Sequence, residues 1–88
     1  MSTLHAHKVG VALGGLLAAA HLVWSVLVAL GLGQAWVDWV FRMHFMTPLL
    51  VVGPFAPLTA LGLIIMAGIM GYIMGFVFAN IWNVVAAD

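Results

Sequence analysis

The chain has 88 residues, 67% of them hydrophobic and 5% charged, with no cysteine and a formal net charge of zero. Soluble domains carry about 25% charged residues, so this is one small unit of membrane-protein composition. With only Lys8, Asp38, Arg42 and Asp88 charged, a basic nucleic-acid face, an acidic cation face, a thiolate metal site and a thiol nucleophile are all excluded.

Residues 1–8 form a short polar lead into the first apolar run, residues 9–32. As a helix that run is roughly 36 Å long, enough to cross a hydrocarbon core of about 30 Å. Lys8 ahead of it and Gly33-Gln34-Ala35 near its end make a passable signal-cleavage pattern. The run is longer than a usual signal core, however, and reads as a retained span. Gly31 and Gly33 mark its end, because glycine commonly follows a helix C-terminus.

A short interfacial helix is expected over residues 34–46. Gln34, Asp38 and Arg42 stand at i, i+4 and i+8 as one narrow polar stripe, and the Asp38–Arg42 spacing favours an ion pair. Trp36 and Trp39 suit the headgroup level, where an indole has one wet and one dry side. Thr47-Pro48 should stop this helix, since the residue before proline avoids the α region. Residues 47–57 then form a proline-punctuated connector so apolar that it should pack against protein at membrane depth. The second span covers residues 58–86, over 40 Å of helix by the same rise, which predicts tilt or a protruding last turn bearing Asn80 and Asn83. Trp82 and Asn83 read as interfacial. The expected fold is thus an all-α membrane hairpin of two spans with an interfacial helix and connector between them. Lys8, directly against the first span, weakly places both termini in the cytoplasm.

Each span carries a row of small residues. In the second, Ala67, Gly71, Gly75 and Ala79 recur every fourth position, flanked on the same face by Ala60, Gly68 and Asn83. In the first, Gly10, Gly14, Ala18, His21, Ser25 and Ala29 share about a third of the helical wheel. Glycine costs about 1 kcal/mol against alanine in a helix, and its concentration on one face points to close helix packing. The two rows can satisfy each other within one hairpin. The remaining apolar faces favour a homo-oligomer or docking into a larger membrane complex, with Gly71→Leu plus Gly75→Leu breaking assembly.

His21 is the one titratable side chain inside the first span, and such residues are functional candidates by default. A neutral imidazole there can serve as axial ligand to haem or a chlorophyll-type pigment. The plainer reading is a hydrogen bond, with Ser25 one turn on as a candidate partner. His44, between Met43 and Phe45, is an interfacial anchor or a second axial candidate. His5 and His7 lack the companions that a closed metal site needs. Catalytic arrangements are missing: Asp38 and Asp88 are the only carboxylates, and Ser2 and Ser25 lack a nucleophile-elbow context. A third possibility is a holin-like pore, which only Gln34, Asp38, Arg42, His21, Ser25 and Asn83 could line.

The segments His44-Phe45-Met46-Thr47-Pro48, Pro54-Phe55 and Gly71-Tyr72 through Phe78-Ala79-Asn80-Ile81-Trp82-Asn83 resemble a group of small bacterial two-span membrane proteins of no assigned activity. These share a His-Phe-x-x-Pro connector and a Gly-Tyr-x-x-Gly…Phe-Ala-x-x-Trp-Asn helix. The resemblance implies a bacterial two-span protein, with His44, Pro48, Tyr72, Trp82 and Asn83 in one structural unit; the expected location is the bacterial cytoplasmic (inner) membrane. The resemblance brings no established activity, cofactor or partner with it. The resulting expectation is a non-enzymatic membrane component that works by packing.

Overall fold

A computed structural model describes residues 3–87, leaving Met1, Ser2 and Asp88 outside. Three helices follow in order: α1 (Ala6–Ala29), α2 (Gly33–Met43) and α3 (Pro57–Val85). There is no strand among the described residues. Helices α1 and α3 are each long and apolar enough to cross a membrane.

Helix α1 begins three residues before the expected span because His5 caps it. Its extended backbone turns the chain in, and its Nδ1 accepts from the Lys8 N–H at 3.4 Å. It ends three residues early because Gly31 adopts φ 77°. The Gly31 N–H then bonds Val28 O at 3.0 Å and the Leu32 N–H bonds Leu27 O at 2.8 Å, closing the last carbonyls. Gly33 does not terminate α1; it opens α2.

Helix α2 stops at Met43 rather than running to the proline. The device is the one that closes α1, with Phe45 in the left-handed position at φ 60°. The Phe45 N–H bonds Arg42 O at 3.1 Å and the Met46 N–H bonds Phe41 O at 2.9 Å. A side chain in that region is strained by about 1–2 kcal/mol. Helix α3 starts on Pro57, whose fixed φ suits a first turn and whose missing N–H would go unpaired there anyway.

The packing is antiparallel and made of backbone. A Cβ added to Gly71 would lie 2.8 Å from the Gly14 Cα, and one added to Gly75 would lie 2.9 Å from the Gly10 Cα. The Ala18 Cβ would sit 3.6 Å from a Cβ at Gly68. Thus the two small-residue rows face each other inside the hairpin and bring the helices to near-minimum separation. Helix α2 packs on α1 alone. Gly33 permits this, since a Cβ there would meet the Val28 Cγ2 at 3.0 Å and the Trp24 ring at 3.4 Å.

The result is a slab of 50 × 33 × 14 Å, little more than one helix thick. Ala67 and Ala79 are its buried hydrophobic residues among those described, and no large side chain is fully buried. The connector does not pack as tightly as its composition suggests: Leu49 and Val51 remain exposed. One slab of glycine-seamed helix has no interior left to receive them.

Candidate functional site

Polar side chains gather at the two ends of the seam. At the terminal end, the Asn83 amide brackets one residue: Leu4 N–H donates to Asn83 Oδ1 at 2.8 Å, and Asn83 Nδ2 donates to Leu4 O at 2.9 Å. Asn83 therefore ties the N-terminal lead to α3 rather than standing free at the interface. Asn80 bonds only its own helix, at Phe76 O. One turn further in, His7 Nδ1 and the Tyr72 hydroxyl share a 2.8 Å hydrogen bond, with the rings edge to face. Trp82 stacks on Phe78 and stays half exposed.

Tyr72 and Asn83 thus find partners in the N-terminal segment. His44 instead bonds Val40 on its own helix, at the connector end. The single unit of His44, Pro48, Tyr72, Trp82 and Asn83 implied by the resemblance does not form: His44 and Pro48 precede α3, Tyr72 lies midway along it, and Trp82 and Asn83 lie near its C-terminal end.

At the connector end a second amide does the same work. Gln34 Nε2 donates to Leu50 O at 2.9 Å while Gln34 Oε1 accepts from the Val52 N–H at 2.7 Å, so the side chain pairs with extended backbone as a neighbouring peptide would. The other Nε2 hydrogen goes to Asp38 Oδ1 at 2.9 Å. Asp38 takes Gln34 as its partner in place of the expected Arg42: fixed against the connector, Gln34 already presents an N–H one turn away. Trp36 and Trp39 stack with ring centroids 5.4 Å apart and remain half exposed.

His21 lies about 12 Å from the Ala29 end of α1. Its Nδ1 is 2.8 Å from Leu17 O, not bonded to Ser25. A carbonyl only accepts, so Nδ1 carries a proton, and in the neutral form of the ring Nε2 is a bare lone pair. His44 repeats the arrangement, its Nδ1 donating to Val40 O at 2.7 Å. An N–H held by a carbonyl is how ligating histidines are oriented. The four histidines nonetheless remain dispersed: no group of three or more potential metal ligands forms among the described residues.

Two adjoining hollows of about 180 and 350 Å³ share Trp24 and Leu63 as walls. His21 opens on the larger; Ser25, Thr59 and Phe55 line the smaller. Trp24 also walls a third hollow of about 240 Å³ beneath α2 and Leu50. Its central place was not visible in the sequence, because a lone tryptophan in an apolar run breaks no period. Tyr72, Gln34 and Gly33 were likewise without a local signal for their contacts. No family model, curated protein or solved structure matches the chain.

Proposed function

We propose that the chain is a non-enzymatic membrane protein that crosses the bilayer twice and acts by packing, either with copies of itself or as a small subunit of a larger membrane complex. The observation that carries this reading is the inverted burial. The seam consumes the glycines and alanines, while large side chains such as Leu16, Val23, Ile65, Met66, Ile69 and Ile73 point outward. The core helix of a soluble protein would be mostly buried, whereas here 11% of the apolar window of α1 and 17% of that of α3 is. Lipid, or apolar faces of other subunits, must cover the rest.

Further support comes from the aromatic side chains, with Trp36 and Trp39 at one end and Trp82 about 38 Å along α3 from its start. The glycine seam and the Leu4–Asn83 bracket hold α1 as half of the fold, which favours a retained span over a cleaved leader. The cytoplasmic membrane of a bacterium, with both termini on the inner side beside Lys8, is the setting this reading adopts. The seam also revises how assembly would work. Gly71→Leu with Gly75→Leu would separate the hairpin itself, so contacts between subunits would use the outer faces. A pore is less favoured, since Gln34 and Asn83 spend their amides inside the hairpin. The test is the mass of the native assembly in lipid nanodiscs. A defined oligomer or co-purifying complex is expected, and a monomer at all lipid ratios with no companion would refute the packing role.

A second reading, ligand carriage through His21 or His44, is favoured by the bare Nε2 that each presents. A visible spectrum of the purified protein tests its haem or pigment form, which a missing Soret or pigment band would remove.

A further inference from the structure

Four polar groups meet around Trp24 without protein partners. The hydrogen bonds of this end run to Leu17, Asp38, Leu50 and Gln34, and none involves the Trp24 indole, the Ser25 hydroxyl or the Thr59 hydroxyl among the described residues. Ser25 is 8% exposed, and its oxygen, which is not sealed off, opens into the smaller hollow. His21 Nε2 is the fourth. At bilayer depth an unpaired polar group costs about 1–3 kcal/mol, and water is scarce there.

We propose that this cleft binds the ring of a membrane-soluble quinol. The inference rests on the hairpin lying in a bilayer and gives the ligand-carrying reading of His21 a definite ligand class. With Nδ1 committed to Leu17 O, Nε2 of the neutral ring can only accept, and a phenolic O–H is the donor that a ligand in an apolar cleft would bring to it. Ser25 lies one helical turn further along the same face, and its hollow adjoins the one on which His21 opens across Trp24 and Leu63. Its hydroxyl donates to the second oxygen, and Thr59 stands at the mouth. Trp24, Phe55 and Leu63 supply the apolar walls, and a prenyl tail leaves between the helices into lipid. The combined hollows fall in the size range of small-molecule sites.

Two competing ligands fit less well. A metal macrocycle on Nε2 would leave the Ser25 hydroxyl unpaired, and no lining residue is cationic to meet acidic substituents or a phosphate. A quinone, which only accepts, would set a carbonyl oxygen against the Nε2 lone pair. The reduced form is therefore the one that binds.

The test uses the full chain in lipid nanodiscs, with its histidines labelled with nitrogen-15, titrated with decyl-ubiquinol kept reduced and, separately, with decyl-ubiquinone. Co-elution with the disc verifies insertion before titration, so failure to insert strikes the membrane reading and not the ligand. The expected result is a saturable shift of the His21 Nε2 resonance, with His5, His7 and His44 unmoved. Quinol affinity falls about tenfold in Ser25→Ala and in His21→Phe, the value of about one buried hydrogen bond, with helical circular dichroism unchanged. His21→Gln, which restores an acceptor, recovers part of the loss. Non-saturable shifts, equal affinity for quinone, or unchanged affinity in both variants would overturn the proposal. So would a Soret band that disappears with His21→Phe, which assigns Nε2 to a macrocycle.

Discussion

Gly14 and Gly15 are neighbours in sequence and opposites in the fold. A methyl at Gly14 would lie 2.7 Å from Gly68 O and 3.1 Å from the Tyr72 N, both backbone atoms of α3 that no rotamer change can move. A methyl at Gly15 meets nothing within 4 Å. Both substitutions gain the same helix propensity, about 1 kcal/mol, so the difference between them isolates the seam. At Gly14 the helices must part by roughly 0.8 Å to restore ordinary contact, and a gap of that size forfeits a quarter to a half of each dispersion contact around it. Overpacked interiors lose about 1–3 kcal/mol. We therefore expect Gly14→Ala to be about 2 kcal/mol less stable than Gly15→Ala, roughly a thirtyfold change in the folded-to-unfolded ratio. Reversible unfolding in mixed micelles, followed by circular dichroism as denaturing detergent is added, measures the difference. If Gly14→Ala proves as stable as Gly15→Ala, the seam is looser than the geometry requires and the argument for a self-closing hairpin fails.

Three further outcomes follow from single contacts. Asn83→Ala removes both hydrogen bonds to Leu4 and should cost about 1–3 kcal/mol, with amide exchange at Leu4 rising toward that of free chain. Asn83→Asp, which keeps the acceptor alone, should fall between. Gln34→Leu frees Leu50 and Val52, so the Val52 amide should lose its exchange protection while the α1–α3 seam keeps its own. Phe45→Gly relieves the left-handed strain of a side chain that is fully exposed and should stabilise the fold by up to about 1 kcal/mol. A loss of stability in that variant, measured by the same detergent titration, would mean that the Phe45 ring is held by contacts within the hairpin.

The seam was legible because small residues at a four-residue spacing are a signal carried by one helix alone. Gly10, Gly14, Gly71 and Gly75 each declare a face, and two such faces on one short hairpin have each other as the nearest partner. The helix ends were legible only where glycine marks them. Gly31 announces the turn after α1, but Phe45 performs the same turn after α2 with a residue that ordinarily avoids it, and Pro48 drew attention three residues too far along. The Asp38 partner was ambiguous in principle, because Gln34 and Arg42 stand one turn to either side on one stripe. What decides it is the connector: once Leu50 and Val52 hold the Gln34 amide, the remaining N–H is already aimed at Asp38.

The two amides also explain why small-residue packing is not the whole of this fold. A glycine seam gives closeness without register, since a four-residue slip of one row past the other still sets small residues against small residues. Asn83 on Leu4 and Gln34 on Leu50 and Val52 are satisfied in one alignment only, because each side chain must meet both an N–H and a C=O of a segment outside the helices. They act at opposite ends of the seam, tying down the N-terminal lead and the connector that flank it. With both ends pinned, the stretch of α1 near His21 and Ser25 is held at one height against Thr59 and Leu63 of α3. A slip of one turn would carry Ser25 away from Thr59 and close the hollow beside Trp24. The cleft is therefore a consequence of register, and register here is set by side-chain amides rather than by the glycines that dominate the contact. Loss of either amide should then loosen the Trp24 cleft at a distance, and a combined Gln34→Leu and Asn83→Ala variant that still held quinol at full affinity would contradict this coupling.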